Sequence, residues 1–152
     1  MKPIENIARG IIFENQKLLV VRSKKKQGFG HAFLPGGHIE PGESAKVCLA
    51  REMAEESGVE GLEVGLFLAT HENIYGEGEG RTHEINQIFE CALPRGVEPK
   101  KVVSREKHIA FAWVSLGELD AVNLQPQSLR KFIAEWVRTR SSFGQGVFLS
   151  EM

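Results

Sequence analysis

Cysteine is scarce in this chain: Cys48 and Cys91 are the only two among 152 residues. Two thiols cannot make the disulfide framework that stabilises small secreted domains. The first ten residues lack the apolar stretch of a secretory leader. A cytoplasmic location with reduced, packed thiols is therefore expected. No apolar run approaches the roughly 20 residues a membrane-crossing helix needs, so no membrane association is expected. An excess of one charge is missing too: 19 Lys and Arg against 20 Asp and Glu leave a net charge of −1. That balance argues against a global electrostatic surface for nucleic acid. His31, His71, His83 and His108 show none of the spacings of a zinc site. Internal repeats and low-complexity segments are absent.

What remains is an ordinary globular composition, 41% apolar and 26% charged. The length suits one domain spanning residues 1–152, its core over about 4–138. Two apolar runs, residues 10–13 and 18–22, flank a polar tetrapeptide and read as a hairpin. Residues 24–30 form a basic, glycine-containing loop, and 32–34 a short strand ending at Pro35-Gly36-Gly37. Ser44 and Gly58 bracket a helix over residues 44–57 as N-cap and left-handed stop. Residues 62–70, 83–93 and 108–114 read as strands, and 75–80 as a loop. Leu129, Phe132, Ile133, Trp136 and Val137 follow helical spacing and predict an amphipathic closing helix. From Ser141 onward there is no strong signal. Strands and helices mix without regular alternation, so an α+β fold or a mixed sheet with flanking helices is expected.

The Ser44 helix carries the chemistry. At about 100° per residue, Glu52, Glu55 and Glu56 share an arc of roughly 100°. Val47, Leu49, Ala50, Met53 and Ala54 are assigned to the opposite, core-facing side. The acidic arc works against the helix. Glu52 and Glu56 are like charges at i, i+4, costing about 0.2–0.5 kcal/mol. All three lie in the last two turns, where the dipole disfavours each anion by about 0.3–1 kcal/mol. Arg51 offsets part of this. A divalent cation among the carboxylates would relieve the rest, and oxygen donors suit Mg²⁺ or Mn²⁺.

Spacing around the helix is more specific still. From Gly37, five residues lead to Glu43, and seven more to Arg51-Glu52-Met53-Ala54-Glu55-Glu56-Ser57-Gly58-Val59. These 23 residues match all nine defined positions of the Nudix box, and Leu34-Pro35-Gly36-Gly37 resembles the usual approach to it. The chain thus resembles the Nudix hydrolase family. The resemblance implies an α/β/α sandwich with a mixed sheet. It implies metal-dependent hydrolysis of a diphosphate linkage in a nucleoside diphosphate derivative: a nucleoside triphosphate, nucleotide sugar, ADP-ribose or dinucleoside polyphosphate. By the same resemblance Glu55 and Glu56 bind metal, and Glu52 ligates metal or handles the attacking water. Arg51 orients the carboxylates, Glu43 joins their network, and a carbonyl near Gly36 or Gly37 is a further ligand. Gly36 and Gly37 would also let the backbone approach a phosphate.

Outside the box, Glu106 is the preferred downstream carboxylate for the metal and Glu84 the second candidate. Tyr75, the lone tyrosine, lies 16 residues beyond Val59 beside a glycine-rich loop and is a candidate for stacking on a base. The loop Lys24-Lys25-Lys26 could meet a phosphate or a nucleic-acid end. The resemblance is compatible with a homodimer. The competing class is a catalytically inactive nucleotide-sensing or protein-binding module. Such modules usually lose a box carboxylate, and none is lost here.

Overall fold

The computed structural model describes residues 2–140. Seven strands form the sheet: β1 (Glu5–Glu14), β2 (Lys17–Lys24), β3 (Phe29–Phe33), β4 (Gly36–His38), β5 (Glu63–Tyr75), β6 (Thr82–Ala92) and β7 (Ile109–Val114). Two helices accompany them, α1 (Ala45–Ser57) and α2 (Ser128–Thr139). The strand order is β3-β2-β1-β6-β5, with β4 paired to β1 and β7 to β2. β1 and β6 run parallel, while the other ladders are antiparallel. The sheet is therefore mixed.

Adjacent residues of a strand face opposite sides, and the core divides accordingly. Ile11 and Ile88 pack with Leu129, Ile133 and Trp136 of α2. Their neighbours Ile12 and Phe89 pack with Cys48, Leu49 and Met53 of α1. One helix covers each face, so the fold is an α+β, α/β/α sandwich. Among the described residues no helix is long and apolar enough to cross a membrane. The segment from Ser141 lies outside the described residues.

Several expected boundaries shift. The first strand begins at Glu5, not Gly10, because pairing with β6 extends from Glu5 to Ile12. The strand expected over 62–70 continues to Tyr75, held to β6 up to the pair Tyr75–Thr82. Tyr75 therefore ends a strand instead of opening a loop. Phe29 and Gly30, read as loop, belong to β3. β4, only three residues long, was too short to show a period.

The largest correction concerns α1. Its buried residues are Ala45, Cys48, Leu49, Met53 and Ser57. On a wheel at about 100° per residue this stripe is centred within about 60° of Glu52 and Glu56. The acidic residues do not oppose the core face. Glu52 and Glu56 prolong it beyond the apolar contacts, and both are half-buried, whereas Glu55 is exposed. Val47, placed on the core side by the sequence reading, is 49% exposed. A residue at that angle meets no neighbouring element.

This geometry predicts a contrast. Met53 is buried, and Met53→Asp would leave an uncompensated charge in the core, costing about 3–5 kcal/mol. Val47→Asp should stay within about 0.5 kcal/mol of wild type. Chemical denaturation of the two variants checks this. Equal stabilities would mean that α1 is rotated from the position described.

Candidate active site

The ends of α1 are fixed as the sequence suggests. The Val47 amide donates to Ser44 Oγ at 3.3 Å, and Gly58 adopts φ 73° with its amide donating to Ala54 O at 2.8 Å. Between these caps, Arg51 gathers the acidic residues. Its Nε and Nη2 donate to Glu43 Oε1 and Oε2 at 2.7 and 3.0 Å. Nη1 donates to Glu52 Oε1 at 2.9 Å and to Glu55 Oε2 at 3.3 Å. Nη2 also donates to His38 O at 3.2 Å, tying α1 to β4. The hydrogen bonds from Arg51 hold the Glu43 carboxyl below the usual carboxylate range. In turn the Glu43 contact raises the pKa of Arg51.

Glu56 stands outside this clamp. Burial pushes its pKa up to about 7, and the charges of Glu52, Glu106 and Glu55 push the same way against the opposing pull of Arg9. Glu106 reaches it by a backbone route: the Arg105 amide donates to Glu56 O at 2.7 Å, docking the loop on the last turn of α1. The Arg105 guanidinium lies over Gly58, where a Cβ would stand 2.2 Å from it. His108 Nε2 lies 3.2 Å from Glu106 Oε2. Of the two downstream carboxylates, Glu106 thus adjoins the box. Glu84 faces elsewhere.

The two glycines before α1 have packing reasons the sequence did not show. A Cβ on Gly36, at φ 142°, would sit 1.9 Å from Ala8 O. One on Gly37 would sit 2.3 Å from Glu52 Cδ. The space expected for an approaching phosphate is filled here by β1 and by the Glu52 carboxylate. The Gly37 carbonyl accepts from Cys48 Sγ at 3.5 Å. Both thiols are free and buried, and burial raises each pKa to about 12.

Beyond β4 lies a cleft of about 610 Å³ lined by Arg9, Phe33, Tyr75, Glu84, Asn123 and Gln125, among others. Arg9 joins it to the carboxylates. Burial lowers its pKa, opposed by the charges of Glu84, Glu56 and Glu52. Its Nη1 donates to Leu34 O at 3.0 Å and its Nε to Asn86 Oδ1 at 3.4 Å. Sequence reasoning missed Arg9, Phe33, Asn123 and Gln125. The one signal was a charged residue inside the apolar run Ile7-Ala8-Arg9-Gly10-Ile11. Lys24, at the edge of the basic loop, donates its amide to His108 O at 2.8 Å. The loop therefore runs beside the segment carrying Glu106.

Do these residues suit a divalent cation? Among the described residues no three His, Cys, Asp or Glu side chains converge into a metal-binding group. The reason is visible: Arg51 draws Glu43, Glu52 and Glu55 onto itself. The donor set nonetheless fits. Glu52, Glu56 and Glu106 are hard oxygen donors whose mutual repulsion, added to burial, raises the Glu56 pKa. A cation would relieve that repulsion.

Comparison with known proteins bears on the family. Residues 5–138 match the model of the NUDIX domain. The chain is 38% identical over 129 residues to a CTP pyrophosphohydrolase of Escherichia coli, covering 85% of this chain and 88% of that protein. It is 30% identical over 135 residues to a Mycobacterium tuberculosis protein provisionally named 8-oxo-dGTP diphosphatase 2, covering 88% and 87%. The solved structure of a MutT protein from Methanosarcina mazei superposes with a TM-score of 0.68 at 25% identity, covering 93% of this chain and 98% of that one.

Glu56 also predicts a pH dependence in chelator-treated protein. Its carboxyl is raised from 4.5 in the unfolded chain to about 7 in the folded one. Over that window the folded state holds a proton the unfolded state has released. Its contribution is complete below the lower value and is lost as pH rises through the upper one. Melting temperature should therefore fall between pH 5 and pH 8, and Glu56→Gln should fall less. Parallel profiles for the two proteins would contradict the assigned environment.

Proposed function

The chain belongs to the NUDIX family, and from that membership we propose that it is a divalent-metal-dependent pyrophosphohydrolase of a nucleoside triphosphate. The coarser activity, hydrolysis of a diphosphate linkage in a nucleoside diphosphate derivative, comes with the family. The finer reading rests on one observation: the half-buried carboxylates of α1 adjoin, through Arg9, a cleft of the size of a small-ligand pocket. The relatives named for a CTP and an 8-oxo-dGTP activity act on nucleoside triphosphates by name.

Residues take roles accordingly. Glu56, Glu52, Glu55 and Glu106, with the Gly37 carbonyl, would hold Mg²⁺ or Mn²⁺. Such an ion neutralises phosphate oxygens and acidifies water when bound. Glu52, held by Arg51 Nη1 and pressed against Gly37, takes the proton of the attacking water. Arg51 and Glu43 keep that carboxylate aimed. Arg9 meets the phosphate nearest the cleft. Tyr75 packs on the nucleoside. Water oxygen bonds to phosphorus, the bridging P–O bond breaks, and the products are a nucleoside monophosphate and inorganic diphosphate. The exposed lysines Lys24–Lys26 would meet the leaving diphosphate. The presence of Glu43, Arg51, Glu52, Glu55 and Glu56 together favours this enzyme over an inactive binding module.

Three measurements test the proposal. Product analysis on nucleoside triphosphates, nucleotide sugars, ADP-ribose and dinucleoside polyphosphates should show monophosphate and diphosphate from triphosphates, abolished by chelator. Full turnover after metal stripping would overturn the metal assignment. Glu52→Gln should lower kcat by roughly 10²–10⁴-fold with an unchanged circular dichroism spectrum. Glu106→Gln should raise the Mg²⁺ concentration needed for half-maximal rate. An unchanged Mg²⁺ requirement would remove Glu106 from the site.

A further inference from the structure

Glu84 lines the cleft but has no part in the carboxylate cluster. Its Oε1 accepts from the Tyr75 hydroxyl at 2.9 Å. Its Oε2 receives Asn73 Nδ2 at 3.4 Å and Asn86 Nδ2 at 3.5 Å, both long for hydrogen bonds. Three of the roughly four acceptor positions of an ionised carboxylate are thus engaged, two of them only by long asparagine contacts that a ligand N–H would replace. Glu84 shares the cleft with the aromatic side chains of Tyr75 and Phe33, the Arg9 guanidinium standing over the Phe33 ring at 5.6 Å from its centroid.

A carboxylate in such a pocket accepts and does not donate. Its two oxygens match a ring edge that presents two neighbouring N–H donors. Cytosine and adenine each offer one amino donor beside a ring nitrogen acceptor, which a carboxylate repels. Uracil and thymine offer one N–H between two carbonyls. Guanine offers N1–H and the 2-amino group side by side. On the reading of the chain as a nucleoside triphosphate hydrolase, we propose that Glu84 selects the base. It does so by accepting two hydrogen bonds from the 2-amino-4-oxopyrimidine edge of guanine or a ring of the same edge. Tyr75 positions Glu84, and Arg9 spans from this edge to the phosphates.

The test compares kcat/KM for GTP, ITP, ATP and CTP in wild type and Glu84→Gln, with Mg²⁺ present. ITP lacks only the 2-amino group, so this arm needs no variant. Wild type should prefer GTP over ITP by roughly tenfold or more, and GTP over ATP and CTP. A glutamine presents one acceptor and one donor, the pattern that adenine and cytosine match. Glu84→Gln should therefore lower the GTP-to-ATP ratio by roughly 10–100-fold. Equal wild-type rates on GTP and ITP, a wild-type preference for CTP or ATP, or an unchanged ratio in the variant would overturn the inference and leave the hydrolase reading standing. A wild type inert on all four but active on nucleotide sugars or ADP-ribose would overturn the triphosphate reading and this inference with it. 8-oxo-GTP and a pterin triphosphate carry the same edge. A higher rate on either, with the same loss in Glu84→Gln, supports the recognition and identifies the source of the ring.

Discussion

One guanidinium organises the acidic end of the molecule. Arg51 donates to Glu43, Glu52 and Glu55 and to the carbonyl of His38, so a single cation locks helix α1 to the strand before it. Without it, the last two turns of α1 would carry like charges at the dipole's negative end. With it, three carboxylates are held close at tolerable cost. Glu56 stands outside the clamp, and burial, with the neighbouring carboxylates and against the pull of Arg9, pushes its pKa up to about 7. The site is therefore short of positive charge in a defined place, which is the condition a divalent cation relieves.

The sandwich determines what that place adjoins. β1 pairs with β6 on one side and gives its opposite edge to β2 and then to β4. Where it meets β4, Arg9 emerges between the carboxylates and the cleft. The same strand thus carries Ile11 and Ile12 into the two cores and Arg9 to the junction between the carboxylates and the cleft. The Arg105 amide does a comparable service from the other side, docking the Glu106 loop on the last turn of α1. The spacing of the carboxylates is inherited from backbone contacts that unite residues distant in sequence.

Local signals were legible and remote ones were not. The caps at Ser44 and Gly58, the box spacing and the apolar stripe of α2 are each written within one element. All three appear in the fold. The direction in which α1 faces was misread, because a wheel gives relative angles and only the sheet says which angle is inward. Val47 shows the cost of that gap. Arg9 could not be linked to Asn86, 77 residues away, since parallel pairing leaves no local trace. Glu106 was preferred over Glu84 in sequence, but no contact there told them apart. The Arg105–Glu56 bond separates them, giving one to the carboxylates and the other to the cleft.

The central claim is that Glu56 and the carboxylates beside it form a cation site. Calorimetric titration of chelator-stripped protein with Mn²⁺ tests it most directly, since it reads binding with no substrate present. The account predicts saturable binding in wild type, and binding weakened at least tenfold in Glu56→Gln while the variant keeps its fold. Equal Mn²⁺ affinity in the two proteins, or no binding in either, would contradict it.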